Sequence, residues 1–208
     1  MRNRWKQLPA HGSPLFVQTL GMRRYWPLAL LLLLPTACGG PITQAATTQP
    51  VSPAPRAPVQ VASETSCGLP AFRETLLRRI NAERAKRQSC GLHVALEATP
   101  LVWNEQLLSA AARHSTDMAR RDYFEHASPE GQRVGQRVSR EGYPWRAVGE
   151  NIASGDRTVD AVMNGWMRSP SHCSNLMQPA FTEVGVACVI RPGSTPGAYW
   201  TMVLGKKR

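Results

Sequence analysis

The sequence predicts an α+β domain in which several amphipathic helices cover a small, mainly antiparallel sheet. Three observations predict it. Apolar residues recur at helical spacing in separate segments between residues 71 and 168. Two alternating, valine- and aromatic-containing segments, 182–190 and 198–204, flank a loop carrying Pro192, Gly193, Pro196 and Gly197. The chain has 208 residues, 42% of them hydrophobic, which suits one ordinary core. Apolar helix and sheet faces must cover each other, so the elements stack in layers.

The first helix is expected over 71–88. Pro70 suits its first position, Phe72, Leu76, Leu77 and Ile80 share a face, and Gly91 ends it. The second spans 104–121, with Asn104 as N-cap and Leu107, Ala111, His114 and Met118 on the buried side. On that reading His114 is a packed core histidine. A short third helix follows Ser128-Pro129 and ends at Gly142. The fourth opens at Thr158 and buries Val159, Val162, Met163 and Trp166; Ser169-Pro170 caps one further turn. A short strand covers 150–153. Trp103, Trp145, Trp166 and Trp200 read as core rather than as a glycan groove. Arg137 and Arg168 read as surface cations paired with acids, which contributes little.

Upstream of the domain the chain changes character. Arg23-Arg24, a leucine-rich apolar run and small residues before Cys38 have the layout of a secretory signal, too short to span a bilayer comfortably. Residues 1–38 are therefore expected to be a signal peptide, with Met22 the true start. Cys38, followed by Gly39-Gly40, sits as in a lipobox, although Pro35 stands where an aliphatic residue is usual. Cys38 is the expected lipidation site and the membrane, reached through that anchor, the expected partner. Residues 39–66, rich in Pro, Ala, Thr, Gln and Ser, are expected to be a flexible linker, and 67–208 the folded domain. The protein is thus expected to be an exported cell-envelope lipoprotein. Four cysteines remain beside Cys38: Cys67, Cys90, Cys173 and Cys188. They suit two disulfides in an oxidising compartment, and the sequence allows three pairings. The net charge is +11, but five of the 25 basic residues precede Cys38; from there on, 20 stand against 14 acids. These are scattered, with no basic stripe or stacking motif, so nucleic acid is not expected as a partner.

Five separated motifs carry a resemblance. They are Ala111-Ala112-Arg113-His114-Ser115-Thr116-Asp117-Met118-Ala119; Tyr123-Phe124-Glu125-His126; Gly149-Glu150-Asn151-Ile152-Ala153; Trp166-Met167-Arg168-Ser169-Pro170-Ser171-His172-Cys173; and Phe181-Thr182-Glu183-Val184-Gly185-Val186. In this order they resemble the CAP superfamily (cysteine-rich secretory, antigen five and pathogenesis-related proteins), in its bacterial SCP-like branch. The resemblance implies a three-layer α-β-α sandwich. It implies a cleft lined by two His and two Glu: His126, Glu150, His172 and Glu183. In the eukaryotic branch the second imidazole comes from a position held here by Ala180, and His172 supplies it instead. The same resemblance, placing the turn of Cys173 beside the strand of Cys188, implies the pairs Cys173–Cys188 and, for what remains, Cys67–Cys90.

Two imidazoles and two carboxylates suit zinc or another divalent cation, acid–base chemistry on water, or a hydrogen-bonded ligand. No His-Glu-x-x-His, Gly-x-Ser-x-Gly or phosphate-cradling glycine loop is present. The expected function is therefore a non-enzymatic envelope module that holds a metal or a lipid, glycan or peptide ligand in the His/Glu cleft. The alternative is a hydrolase acting on peptide or cell-wall material through the same residues.

Overall fold

The computed structural model describes residues 65–208 apart from 196. The expected signal, the start at Met22, the lipidated Cys38 and nearly all of the linker lie outside the described residues. Thr65 is buried and Ser66 forms a parallel bridge to Cys188.

Helix α1 spans Phe72–Arg84 and buries Phe72, Leu76, Ile80 and Arg84, a strict four-residue repeat. It ends sooner than the expected 88. Arg84 is fully buried and donates to the carbonyls of Thr99, Leu176, Gln178 and Phe181. Among the described residues the guanidinium has no carboxylate partner; its donors go to three carbonyls of the 176–181 turn and to that of Thr99. Beyond it the chain forms a hairpin the periodicity did not reveal: β1 (Gln88–Cys90) pairs antiparallel with β2 (His93–Ala95). Gly91, read as a helix stop, is instead the first turn residue, with φ +67. His93 lies in β2.

Strand β3 (Val102–Trp103) leads into α2 (Glu105–Arg121). The Asn104 side chain accepts from the N–H groups of Gln106 and Leu107, the expected N-cap. Then follow α3 (Val134–Arg140), β4 (Trp145–Ser154), α4 (Val159–Arg168), α5 (Pro170–Leu176), β5 (Glu183–Ile190) and β6 (Ala198–Lys207). The main sheet has the order β3-β5-β6-β4, parallel only between β3 and β5.

The sheet separates two cores. On one face α1, α4 and α5 pack Leu76, Ile80, Met163 and Trp166 against Val184, Val186, Trp200 and Met202. Trp200 stacks on Phe72 and meets Trp166 edge-on, each such pair adding about 0.5–1.5 kcal/mol beyond burial. On the other face α2 and α3 pack Leu107, Leu108, Ala111 and Val138 against Ala187 and Val203. This is the expected α-β-α sandwich. Helix α2 approaches β5 so closely that a Cβ on Gly185 would sit 2.1 Å from the Leu108 nitrogen, which leaves glycine as the residue that fits.

The disulfides differ from the expected pairs. They are Cys67–Cys188 and Cys90–Cys173, with Cα separations of 5.2 and 5.3 Å. Cys67 and Cys90 flank the 13-residue α1, a rod about 20 Å long, whereas bridged Cα atoms lie within about 7 Å. The chain enters beside β5, where the Cys67 N–H donates to the Cys188 carbonyl, and the β1–β2 hairpin lies on α5. Cys173 therefore faces Cys90.

Candidate functional site

The site is built on β4, one of the two edge strands of the main sheet. Consecutive strand residues point to opposite faces, and Gly149-Glu150-Asn151 uses this alternation. Asn151 faces α5: its amide donates to the His172 carbonyl and its oxygen accepts from Asn175. A Cβ on Gly149 would meet Asn175 Oδ1 at 2.5 Å and the Phe181 ring at 2.8 Å, so α5 can close on the strand only over glycine.

Glu150 faces α2 and its side chain is 3% exposed. One carboxylate oxygen accepts from His126 Nδ1 at 2.9 Å and the other from Arg137 at 2.6 Å. His114 Nε2 lies 3.9 Å away. Burial alone would push the Glu150 carboxyl up, but the His126 hydrogen bond, the Arg137 charge and His114 together hold it below the ordinary range. Glu150 is a carboxylate, so His126 Nδ1–H donates, and in the neutral ring the lone pair is then on Nε2. The His126 side chain is 53% exposed. A buried carboxylate thus fixes the tautomer of an imidazole open to solvent.

Arg137 is the brace. Besides Glu150 it donates to the carbonyls of Gln132 (2.6 Å) and His126 (3.0 Å), fixing the loop that carries His126. It is buried at 7% exposure rather than on the surface as expected. His114 is buried, as expected, yet it is no bland core residue: Nε2–H donates to the Glu125 carbonyl and its ring faces Tyr123. Burial holds His114 below the usual imidazole range, outweighing the pull of Glu150. The helical pattern marked the position of His114 but not its neighbours, and no local signal distinguished Arg137 from a surface arginine.

His172 lies on α5, half-buried on the other side of the β4 edge. Desolvation first, then repulsion from His126, lowers its pKa; the two imidazoles share a neighbourhood. Glu183 stands apart. In sheet register it aligns with Gly205 and, across β6, with Val148, two strands and two residues from Glu150. That places their Cα atoms about 12 Å apart. Glu183 accepts from Tyr143 (2.6 Å), Asn104 (2.8 Å) and Lys207 (3.3 Å). Burial raises its pKa, but these three partners bring it below the usual value. Asn104 gives Nδ2–H to Glu183 while its Oδ1 caps α2, so Glu183 orients a helix cap.

The expected four-residue cleft is therefore a pair, His126–Glu150, with His172 nearby and Glu183 elsewhere. Among the described residues no group of three or more His, Cys, Asp or Glu is arranged to hold a metal ion. The donor set does not fit one either. Glu150 is buried and its oxygens are committed to a cation and an N–H, and Glu183 is anchored in a separate network.

A model of the cysteine-rich secretory protein family, CAP, matches residues 77–204. Similarity extends to the Bacillus subtilis (strain 168) protein YkwD, 34% identical over 131 residues, which are 63% of this chain and 46% of YkwD. A solved Bacillus anthracis structure, described as an extracellular protein containing an SCP domain, is 28% identical with a TM-score of 0.54, over 64% of this chain and 40% of the other. An outer surface protein of Borrelia burgdorferi shares the fold at 20% identity and a TM-score of 0.55, over 65% and 92% of the two chains. This chain spans less than half the length of the curated relatives it matches.

Proposed function

The chain belongs to the cysteine-rich secretory protein (CAP) family, and from that premise we propose that it is an exported, envelope-anchored binding module. Its recognition element is the His126 imidazole, oriented by Glu150 and flanked by His172. The carrying observation is the pairing of a buried carboxylate with an exposed imidazole that meets no nucleophile. Among the described residues no hydroxyl or thiol hydrogen-bonds to His126, and all four described cysteines are in disulfides. Such an imidazole accepts a hydrogen bond at Nε2 from the polar group of a lipid, glycan or peptide. Export is supported by the two disulfides, by the leader-like residues 1–38 and by the extracellular B. anthracis relative. Anchoring rests on Cys38, where acylation contributes about 0.8 kcal/mol per buried CH₂.

A carboxylate-oriented imidazole is also the front half of a general base, which favours hydrolysis of peptide or cell-wall material as the second reading. One set of assays separates the two. The full chain and its His126→Ala variant are screened for binding and for turnover against envelope lipids, glycans and peptides. The binding reading expects a ligand that is lost with His126→Ala and is recovered unaltered. Turnover abolished by His126→Ala establishes the hydrolase instead, and binding indifferent to His126 removes both. Intact mass of the membrane fraction tests the anchor, which an unmodified Cys38 in processed, soluble protein would overturn.

A further inference from the structure

Between α2, α3 and the 128–132 loop lies a cleft of about 530 Å³, lined by none of His126, Glu150, His172 or Glu183. Its volume is that of a small-molecule site, but its chemistry is unusual for one. Apart from the His114 ring it has no aromatic and no aliphatic lining residue among the described residues. Five arginines face three carboxylates, with Thr, Ser and Gln between them.

The carboxylates are already engaged. Glu141 holds Arg113 at 2.6 Å, Glu130 holds Arg121, and Asp117 takes the Tyr123 hydroxyl and a second contact from Arg121. The Arg121 and Ser128 hydrogen bonds keep Glu130 ionised, its pKa lowered to about 2. Arg120 and Arg140 are exposed and have no carboxylate partner among the described residues; Arg140 reaches only the Gln132 side chain. The wall therefore carries uncompensated positive charge.

Two buried polar atoms of lining residues have no partner among the described residues: His114 Nδ1 and Arg137 Nε. Their residues are 1% and 7% exposed. With Nε2–H committed to Glu125, and burial keeping the ring neutral, His114 Nδ1 is an acceptor in need of a donor. Arg137 Nε–H is a donor in need of an acceptor. Buried polar atoms left unpaired cost free energy, so two in one wall call for an occupant. An apolar chain satisfies neither atom. A hydroxyl satisfies both kinds, and an anion satisfies the free arginines.

We infer that this cleft is a second binding site, distinct from His126–Glu150, for an anionic sugar: a hydroxyl-bearing ring carrying a phosphate or carboxylate. The anion pairs with Arg120 and Arg140 at the mouth. Ring hydroxyls donate to His114 Nδ1 and accept from Arg137 Nε–H at the base.

Calorimetry on the full, oxidised chain tests this with glucose 6-phosphate, glucuronate and neutral glucose as probes. One or both anions should bind, which one reporting phosphate or carboxylate as the preferred charge. Affinity should weaken as salt rises, and glucose should bind at least about tenfold more weakly. Arg120→Ala combined with Arg140→Ala alters two exposed side chains, spares the core, and should weaken the anion about tenfold or more. On saturation the ¹⁵N resonance of His114 Nδ1 should move as it gains a donor. No binding of either anion, equal affinity for glucose, unchanged affinity in the double variant, or an unmoved His114 Nδ1 signal at saturation would each overturn the assignment.

Discussion

Removing Glu150 tests the organisation of the site most directly. In Glu150→Ala the Arg137 guanidinium, 7% exposed and 2.6 Å from the lost carboxylate, stays buried without a counter-charge. Breaking one side of a buried ion pair costs about 3–5 kcal/mol, and neither side chain is exposed enough for solvent to screen the loss. The His126 contact adds little to stability, since that imidazole is half in water. Arg137→Met should cost a similar amount, because it strands the carboxylate and removes the donor from the carbonyls of His126 and Gln132. The double change Glu150→Met with Arg137→Met removes both charges. It should cost clearly less than the sum of the singles, by about 2 kcal/mol or more, the remainder being the His126 carbonyl left without its donor, since Gln132 keeps the Ser128 N–H. Urea unfolding of the four proteins, with disulfides intact, measures this cycle. Single losses below about 1 kcal/mol, or additive losses, would show that water reaches the pair and that Arg137 is not the brace described above.

Three further predictions follow from the same contacts. Non-reducing peptide mapping should recover Cys67 bonded to Cys188 and Cys90 to Cys173; with partners 121 and 83 positions apart in sequence, each bridge should contribute roughly 4–5 kcal/mol in the chain-entropy picture, and a Cys67–Cys90 peptide would refute the topology at the domain entrance. Stability should decline on acidification from about pH 6.5, because His114 and His172 are depressed in the fold and the unfolded chain binds their protons first. That contribution is fully present above 6.5 and is lost as pH falls through the folded values, with a slope of up to about 1.4 kcal/mol per pH unit for each proton; Glu150 and Glu183, also depressed, extend the loss below 4.5, and a flat profile between pH 7.5 and 5.5 would contradict the burial of both imidazoles. Gly185→Ala should cost about 3 kcal/mol in the same unfolding assay, since its Cβ would fall on the Leu108 backbone, and a neutral substitution would mean that α2 does not pack on β5 as described.

The sequence by itself determined the elements whose signal is local. Asn104 and Thr158 cap helices, the apolar repeats of α2 and α4 face the core, and the alternation of β5 and β6 sets two faces, because side-chain periodicity and capping depend on a few neighbouring residues. Five motifs in order identified the family and its fold, and so brought His126 and Glu150 to attention together. Only the tertiary structure decided which partner each polar group took. Cys188 meets Cys67 because the chain enters beside β5, and Cys90 meets Cys173 because a hairpin too short for periodicity to reveal lies on α5. Glu183, matched to the family's cleft by its motif, is held about 12 Å from Glu150 by strand register and caps a cap. Arg137 and His114, read as a surface cation and a core filler, surround Glu150 because α2, α3 and the edge of β4 converge there. Burial converts an ordinary charge into one that must be paired, and burial is a property of packing between distant segments, which no local pattern encodes.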